Sequence, residues 1–233
     1  MTRMVLAIVL GAATLQGGEI VVQKVQGDVH VRQGVTEAWQ AVAPGDVLKP
    51  DDTMRTGPRG SAVILLPAAS AQNSPRRITL PPDVMVDIAD VRELSQEELM
   101  LKLAMEKVRS SSYTPANDGL NIPNASVVHG TDKVAGGVPP ENSIAVGILQ
   151  LNGTRFLFDN GFYPTCALKA LEVFRLFPPL AERVDNRLLV AEALERAHLR
   201  GEALSEYGAI LKLSGLTPAQ GSIVRARMDQ LKK

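Results

Sequence analysis

A single cysteine, Cys166, occurs in 233 residues, so no intrachain disulfide is available and stability must come from a packed core. Such a thiol is expected to be buried rather than reactive. Aromatic residues make up only 4% of the chain, which leaves few platforms for stacking bases or sugars. Neither sign of charge is in excess: 25 basic and 25 acidic residues cancel. No general field draws the chain to nucleic acid or to an anionic surface. The three histidines, His30, His129 and His198, match no paired metal-ligand spacing. Also missing are the Gly-x-Ser-x-Gly nucleophile turn, the phosphate-binding loop and the dinucleotide-binding glycine pattern. The carboxylate pairs Asp51-Asp52 and Glu97-Glu98 have local explanations as a turn and a helix start. No catalytic residue, metal, cofactor or obligate small molecule is therefore expected. No run of about 20 apolar residues is present, so the mature chain is expected to lack a transmembrane segment.

The amino terminus has the form of a secretory signal. Arg3 supplies the positive start, and Met4 to Thr14 form an apolar run of the right length. Cleavage is expected after Gly17, and no nearby cysteine offers a lipid attachment point. The mature protein is thus expected beyond the inner membrane, periplasmic or attached to the envelope.

From residue 18 to 93 the period is that of strands. Gly27-Asp28-Val29-His30-Val31-Arg32 alternates, putting Val29 and Val31 on one face and His30 and Arg32 on the other. Ala43-Pro44-Gly45-Asp46 has the composition of a type II turn, and Thr56-Gly57-Pro58-Arg59-Gly60 marks another corner. Ser61 to Leu66, Arg77 to Leu80 and Val84 to Ile88 read as further strands, with a loop over Ala68 to Pro75. Turn signals at this spacing predict a small antiparallel β-sandwich or a stack of hairpins. Trp39 is read either as a ring packed over the edge of the β core or as a stacking surface for a ligand or partner. Arg55 has a similar pair of readings, bonding turn carbonyls or holding an anion.

The order of these elements resembles the FecR domain of the bacterial cell envelope. The residues that carry the resemblance are the Gly27-x-Val29 strand, Trp39, the Gly45-Asp46 turn, the Arg55-Thr56-Gly57 corner, the strand after it and Val84-Met85-Val86-Asp87-Ile88. A loop stands where the family often has an Asp-Gly hairpin. The resemblance implies an all-β module that works in surface signalling, where a periplasmic part senses a transporter and a cytoplasmic part controls a sigma factor. The resemblance does not extend to a membrane helix or a cytoplasmic part, so signalling is expected to require a separate membrane protein.

Beyond residue 93 the period becomes helical. Ser95-Gln96-Glu97-Glu98 has the pattern of a capping box and opens a connecting helix over 94–110, with Leu99, Met100, Leu103 and Val108 as its apolar stripe. The stretch 111–141 collects serine, glycine, proline and asparagine, as expected of a flexible linker. From 142 to 233 helices are expected, broken at Asn160-Gly161, Pro178-Pro179, Arg200-Gly201 and Ser214-Gly215. Ala170 and Phe174 recur as Ala203 and Tyr207, 33 residues later, and Ala191 lies on the preceding helix. This spacing resembles tetratricopeptide-type helical hairpins. The charged set Glu192, Glu195, Arg196 and Arg200 is expected on a solvated face. The fold class expected is a multidomain β-plus-α chain, a small FecR-like β unit followed by a tetratricopeptide-like helical domain. The function expected is a non-enzymatic exported adaptor or scaffold for envelope or periplasmic proteins, with no nucleic acid among its partners. Binding of envelope polysaccharide through Trp39 and Arg55 is the alternative.

Overall fold

The computed structural model describes residues 19–34, 36, 38–68, 74–111 and 143–233. The expected signal segment 1–17, the linker beyond residue 111, His129 and residues 69–73 of the expected loop lie outside the described residues. Within them the chain is mixed β plus α, with two antiparallel sheets of four strands followed by seven helices.

The first sheet has the order β4 (Val47–Leu48), β1 (Ile20–Gln26), β6 (Ser61–Leu66) and β7 (Arg76–Leu80). The second runs β3 (Trp39–Ala41), β2 (Val29–Arg32), β5 (Thr53–Thr56) and β8 (Met85–Asp87). Strict alternation drives the inward residues together. In β6 every second side chain is buried, and β2 buries Val29 and Val31 as its pattern predicts. Met54, Ile64 and Leu80 fill the centre.

Two ribbons, β1–β2 and β5–β6, pass from one sheet to the other at corners packed against each other. Gly27 has a φ of +67°, and a Cβ there would meet the Arg59 carbonyl oxygen at 2.2 Å. Gly60 is equally tight, with a Cβ 2.1 Å from the Asp28 carbonyl oxygen, and the Gly57 amide donates to that same oxygen at 2.8 Å. The Gly-Asp and Thr-Gly signals thus mark one shared crossover where side chains have no room. Gly45, at φ +98°, makes the expected turn, closed by the Asp46 amide on the Ala43 carbonyl at 3.2 Å.

The helices are α1 (Gln96–Ser111), α2 (Ile144–Asp159), α3 (Tyr163–Leu176), the short α4 (Pro178–Ala181), α5 (Val184–Arg196), α6 (Arg200–Ile210) and α7 (Pro218–Leu231). Strands β7 and β8 are the edges of their sheets on the same side, and helix α2 lies against β8 there. At Gly153 of α2 an added Cβ would fall 2.1 Å from the Met85 carbonyl oxygen, so the helix backbone touches the strand. Asn152 Nδ2 donates to the Asp83 carbonyl at 2.9 Å, and Arg76 donates to the Asn160 carbonyl. A helix against an open edge prevents further strand pairing. Buried residues of the sheets and of the helices form one continuous cluster, from Val22 through Val86 and Leu157 to Val224.

Several helical expectations are corrected. The Ser95 hydroxyl accepts the Glu98 amide at 3.2 Å, but the Glu98 carboxylate turns to Arg92 and Lys102 and does not return to close a capping box. The apolar stripe of α1 is split. Leu99 and Leu103 face inward, whereas Met100 and Val108 face outward, because Glu106 holds the inner face through a bond from Arg175 Nε at 2.6 Å. The break between α5 and α6 falls at His198, not at Arg200-Gly201, which lie in the first turn of α6. His198 adopts φ +61°, the left-handed position glycine takes at Gly161, and both ends close with the same amide-to-carbonyl pattern.

From Gly161 to His198 is 37 positions, so the structural repeat is one helical turn longer than the 33-residue echo. Cys166 is the counterpart of Ala203, since each amide bonds the residue after its left-handed turn. A slip of one turn keeps apolar residues on the same face, which is why the Ala-to-aromatic spacing matched at the wrong register. Glu195 is also not fully solvated, because it accepts the Tyr207 hydroxyl at 2.9 Å.

Candidate binding surface

The outer face of the β3-β2-β5-β8 sheet carries the side chains left over once Val29, Val31 and Met54 have turned inward. Register places Trp39 opposite Arg32, Arg32 opposite Thr53, and Thr53 opposite Asp87. In the next row His30 stands opposite Arg55 and Ala41. All of these point the same way because residues two apart on a strand share a face.

Trp39 is the centre of this surface. Arg55 Cζ lies 4.9 Å from the centroid of its ring and Arg32 Cζ lies 5.3 Å from it, each within cation–π range. The indole is half-buried, as are both arginines. The ring packs over the edge of the sheet and under the guanidinium groups of the chain's own Arg32 and Arg55. Arg55 is corrected in position, since it lies inside β5 and not in a turn. The corner begins at Gly57, where the buried Thr56 hydroxyl donates to the Pro81 carbonyl at 2.7 Å and accepts the Val84 amide at 3.0 Å. A flat ring with two planar cations suits a carboxylate, sulfate or phosphate group, or the acidic side chains of a protein.

At the other end of the first row, the sheet meets helix α3 through a charge cluster. Lys169 Nζ donates to Asp87 Oδ2 at 2.7 Å and to Glu172 Oε2 at 3.0 Å, and stands 3.9 Å from Asp90 Oδ2. Thr53 Oγ1 donates to Asp87 Oδ1 at 2.7 Å. Burial pushes Asp87 up, but Lys169 and the Thr53 hydroxyl overcome it and hold the carboxyl below its usual value. Asp90 goes the other way. Burial, reinforced by the neighbouring Asp87 and Glu172, outweighs Lys169 and raises it to about 6. Burial opposes the charge on Lys169, yet three carboxylates hold it in the charged form. This lysine clamps the three carboxylates together. Nothing in the chain order marked it, because its partners Asp87 and Asp90 lie about 80 positions earlier; the one local signal is Lys169 itself, an ion between Leu168 and Ala170 on an apolar helix.

The remaining candidates separate. Cys166 is fully buried, and burial drives its thiol far above the usual range. His30 lies on β2, and His198 closes α5. Among the described residues no group of three or more His, Cys, Asp or Glu is placed to hold a metal, and no helix is long and apolar enough to cross a membrane. A cleft of about 1180 Å³ opens between the end of β6, the start of β7 and residues 88–93, walled by Leu66, Ile88, Val91 and Phe162. Two of its arginines are already engaged, Arg76 over the Phe162 ring and Arg92 on Glu98. No family model matches this chain, and neither does any curated protein or solved structure.

Proposed function

We propose that this chain is a non-enzymatic exported adaptor that binds partner proteins in the bacterial periplasm or envelope, built from a FecR-like β unit and tetratricopeptide-like helical hairpins. The observation that carries the reading is the half-buried Trp39 with Arg55 and Arg32 on the outer sheet face. Fold maintenance alone requires neither two arginines on a tryptophan nor their shared exposure to solvent. The FecR-like reading draws support from the position of its signature residues. Gly27, Gly45 and Gly57 stand where the chain leaves one sheet for the other, and the Arg55 guanidinium lies over the Trp39 ring across the intervening strand β2. The tetratricopeptide-like reading is supported by Ala191, Ala203 and Tyr207, all buried where α5 meets α6. Such hairpins stack to present grooves for peptides or helices. A signalling role of FecR type falls within the same reading if a separate membrane protein is the partner.

The test is capture from envelope extract on the immobilised full chain. A discrete protein retained by the native chain and lost with Trp39→Ala and Arg55→Gln supports the adaptor. Equal capture by all three removes this face from the function. The paired guanidinium groups also favour a second reading, anionic envelope polysaccharide. Trp39 is the only tryptophan, so its fluorescence reports that ligand directly. A saturable change with glycan fragments, together with no captured protein, would replace the first reading by the second.

A further inference from the structure

The ladder between β2 and β3 decides which way the backbone of β3 points. The Val42 amide donates to the Val29 carbonyl at 3.1 Å. Antiparallel pairs alternate, so Val31 and Gln40 form the next bonded pair, and Trp39 and Ala41 turn their N–H and C=O groups away from β2. The other side of β2 agrees. There the Gly57 amide donates to the Asp28 carbonyl at 2.8 Å, which assigns the backbone groups of His30 and Arg32 to the ladder with β5. No described strand pairs with the outward groups of β3, and Gln40 and Ala41 are exposed. The far edge of the same sheet is closed by α2 against β8. In the other sheet, β4 is two residues long and runs into a bend where the Asp52 carboxylate already holds the Lys49 amide at 2.8 Å.

We propose that a partner protein adds an extended segment with carboxylates at alternate positions to the free edge of β3, forming backbone bonds with Trp39 and Ala41 and an ion pair with Arg55. This rests on the reading of the Trp39 face as the adaptor's recognition surface and names how the partner is held there. The edge selects a strand, because its unpaired donors and acceptors recur with a period of two. Arg55 selects the sign of the charge. It stands opposite His30 on the face shared by Trp39 and Ala41, its Cζ is 4.9 Å from the ring centroid, and among the described residues it has no carboxylate partner. The nearby acids are already placed, since Asp28 lies 3.2 Å from His30 Nδ1 and Asp87 accepts Lys169. Alternate side chains of an added strand fall on this same face, where a guanidinium can hold a carboxylate. Three residues of edge supply few backbone bonds, so the charge contact is required and salt weakens the complex.

Titration of the full chain with the peptide acetyl-Glu-Val-Glu-Thr-Glu-Val-Glu-amide, followed by the fluorescence of the single tryptophan, tests this. Saturable binding is expected, weakened about tenfold when glutamine replaces every glutamate of the peptide and by a similar factor in Arg55→Gln. Ala41→Pro removes only an outward N–H, at an edge position that tolerates proline, and should weaken binding as much, whereas Ala41→Ser should bind as the native chain does. A second measurement needs no variant of the protein. N-methylation of alternate peptide amides should abolish binding in one frame and spare it in the other, because an added strand turns only every second amide toward β3. A response equal in both frames, binding indifferent to Ala41→Pro, or no saturable binding of the peptide overturns strand addition. An envelope protein captured by the native chain, lost with Trp39→Ala and retained by Ala41→Pro overturns strand addition while leaving the adaptor reading in place.

Discussion

Lys169 shows how one side chain joins two parts of a chain. Its ammonium, largely buried, is the countercharge for Asp87, Asp90 and Glu172. Lys169→Met keeps the apolar stem and leaves three carboxylates together. The expected loss is about 3 kcal/mol in denaturant unfolding, the low end for breaking a buried pair because Asp87 and Glu172 are each over a third open to water. Asp90 predicts the opposite outcome. Its carboxyl is raised from 3.8 to about 6 in the folded chain, so the native state holds a proton that the unfolded state has released between those values. The stability this contributes is complete below the unfolded value and is lost as pH rises through about 6. Asp90→Asn should therefore stabilise the protein at pH 7.5 by about 2 kcal/mol and should give no gain near pH 3.5. Urea titrations at the two pH values check the sign. A gain of equal size at both would mean that Asp90 is ionised in the folded chain as it is in water.

At the scale of elements, the contact between α2 and β8 depends on Gly153. Gly153→Ala forces the helix off the Met85 carbonyl and should cost about 1–3 kcal/mol. Gly208 of α6 has open space at the same test position, so Gly208→Ala should stabilise by about 0.5–1 kcal/mol. Thermal melts of the two variants should shift in opposite directions. Strands and turns were legible in the sequence because their signals are local: alternation in Ser61 to Leu66, glycine where φ is positive at Gly27 and Gly45, and the pairing of apolar faces in α2 to α6. What the chain order hid is long-range or non-standard. His198 takes a left-handed turn without glycine, Glu106 claims the inner face of α1 through an arginine 69 residues away, and Arg32 joins Arg55 over Trp39 only through strand pairing. Trp39 and Arg55 were therefore visible as candidates, while Arg32 and Lys169, which complete the surface and anchor it, were not.

For the whole molecule, one continuous core through the sheets and the helices implies one cooperative unit. Trp39 fluorescence reports the sheets, and far-ultraviolet circular dichroism reports chiefly the helices. Their unfolding curves should coincide in urea. Two separated transitions would mean that the β unit and the hairpins fold independently and that the α2–β8 contact contributes little. A body of this kind carries the Trp39 face of the sheet and the outward stripe of α1 on different elements. The most direct test of the recognition face is site-specific photocrosslinking in intact host cells, with a photoreactive residue replacing the exposed Ala41, two positions from Trp39 on the same side of β3. The predicted result is a discrete adduct with one envelope protein that disappears with Arg55→Gln; an absence of any adduct, or one formed with a cytoplasmic protein, would contradict the assignment of this face to an exported adaptor.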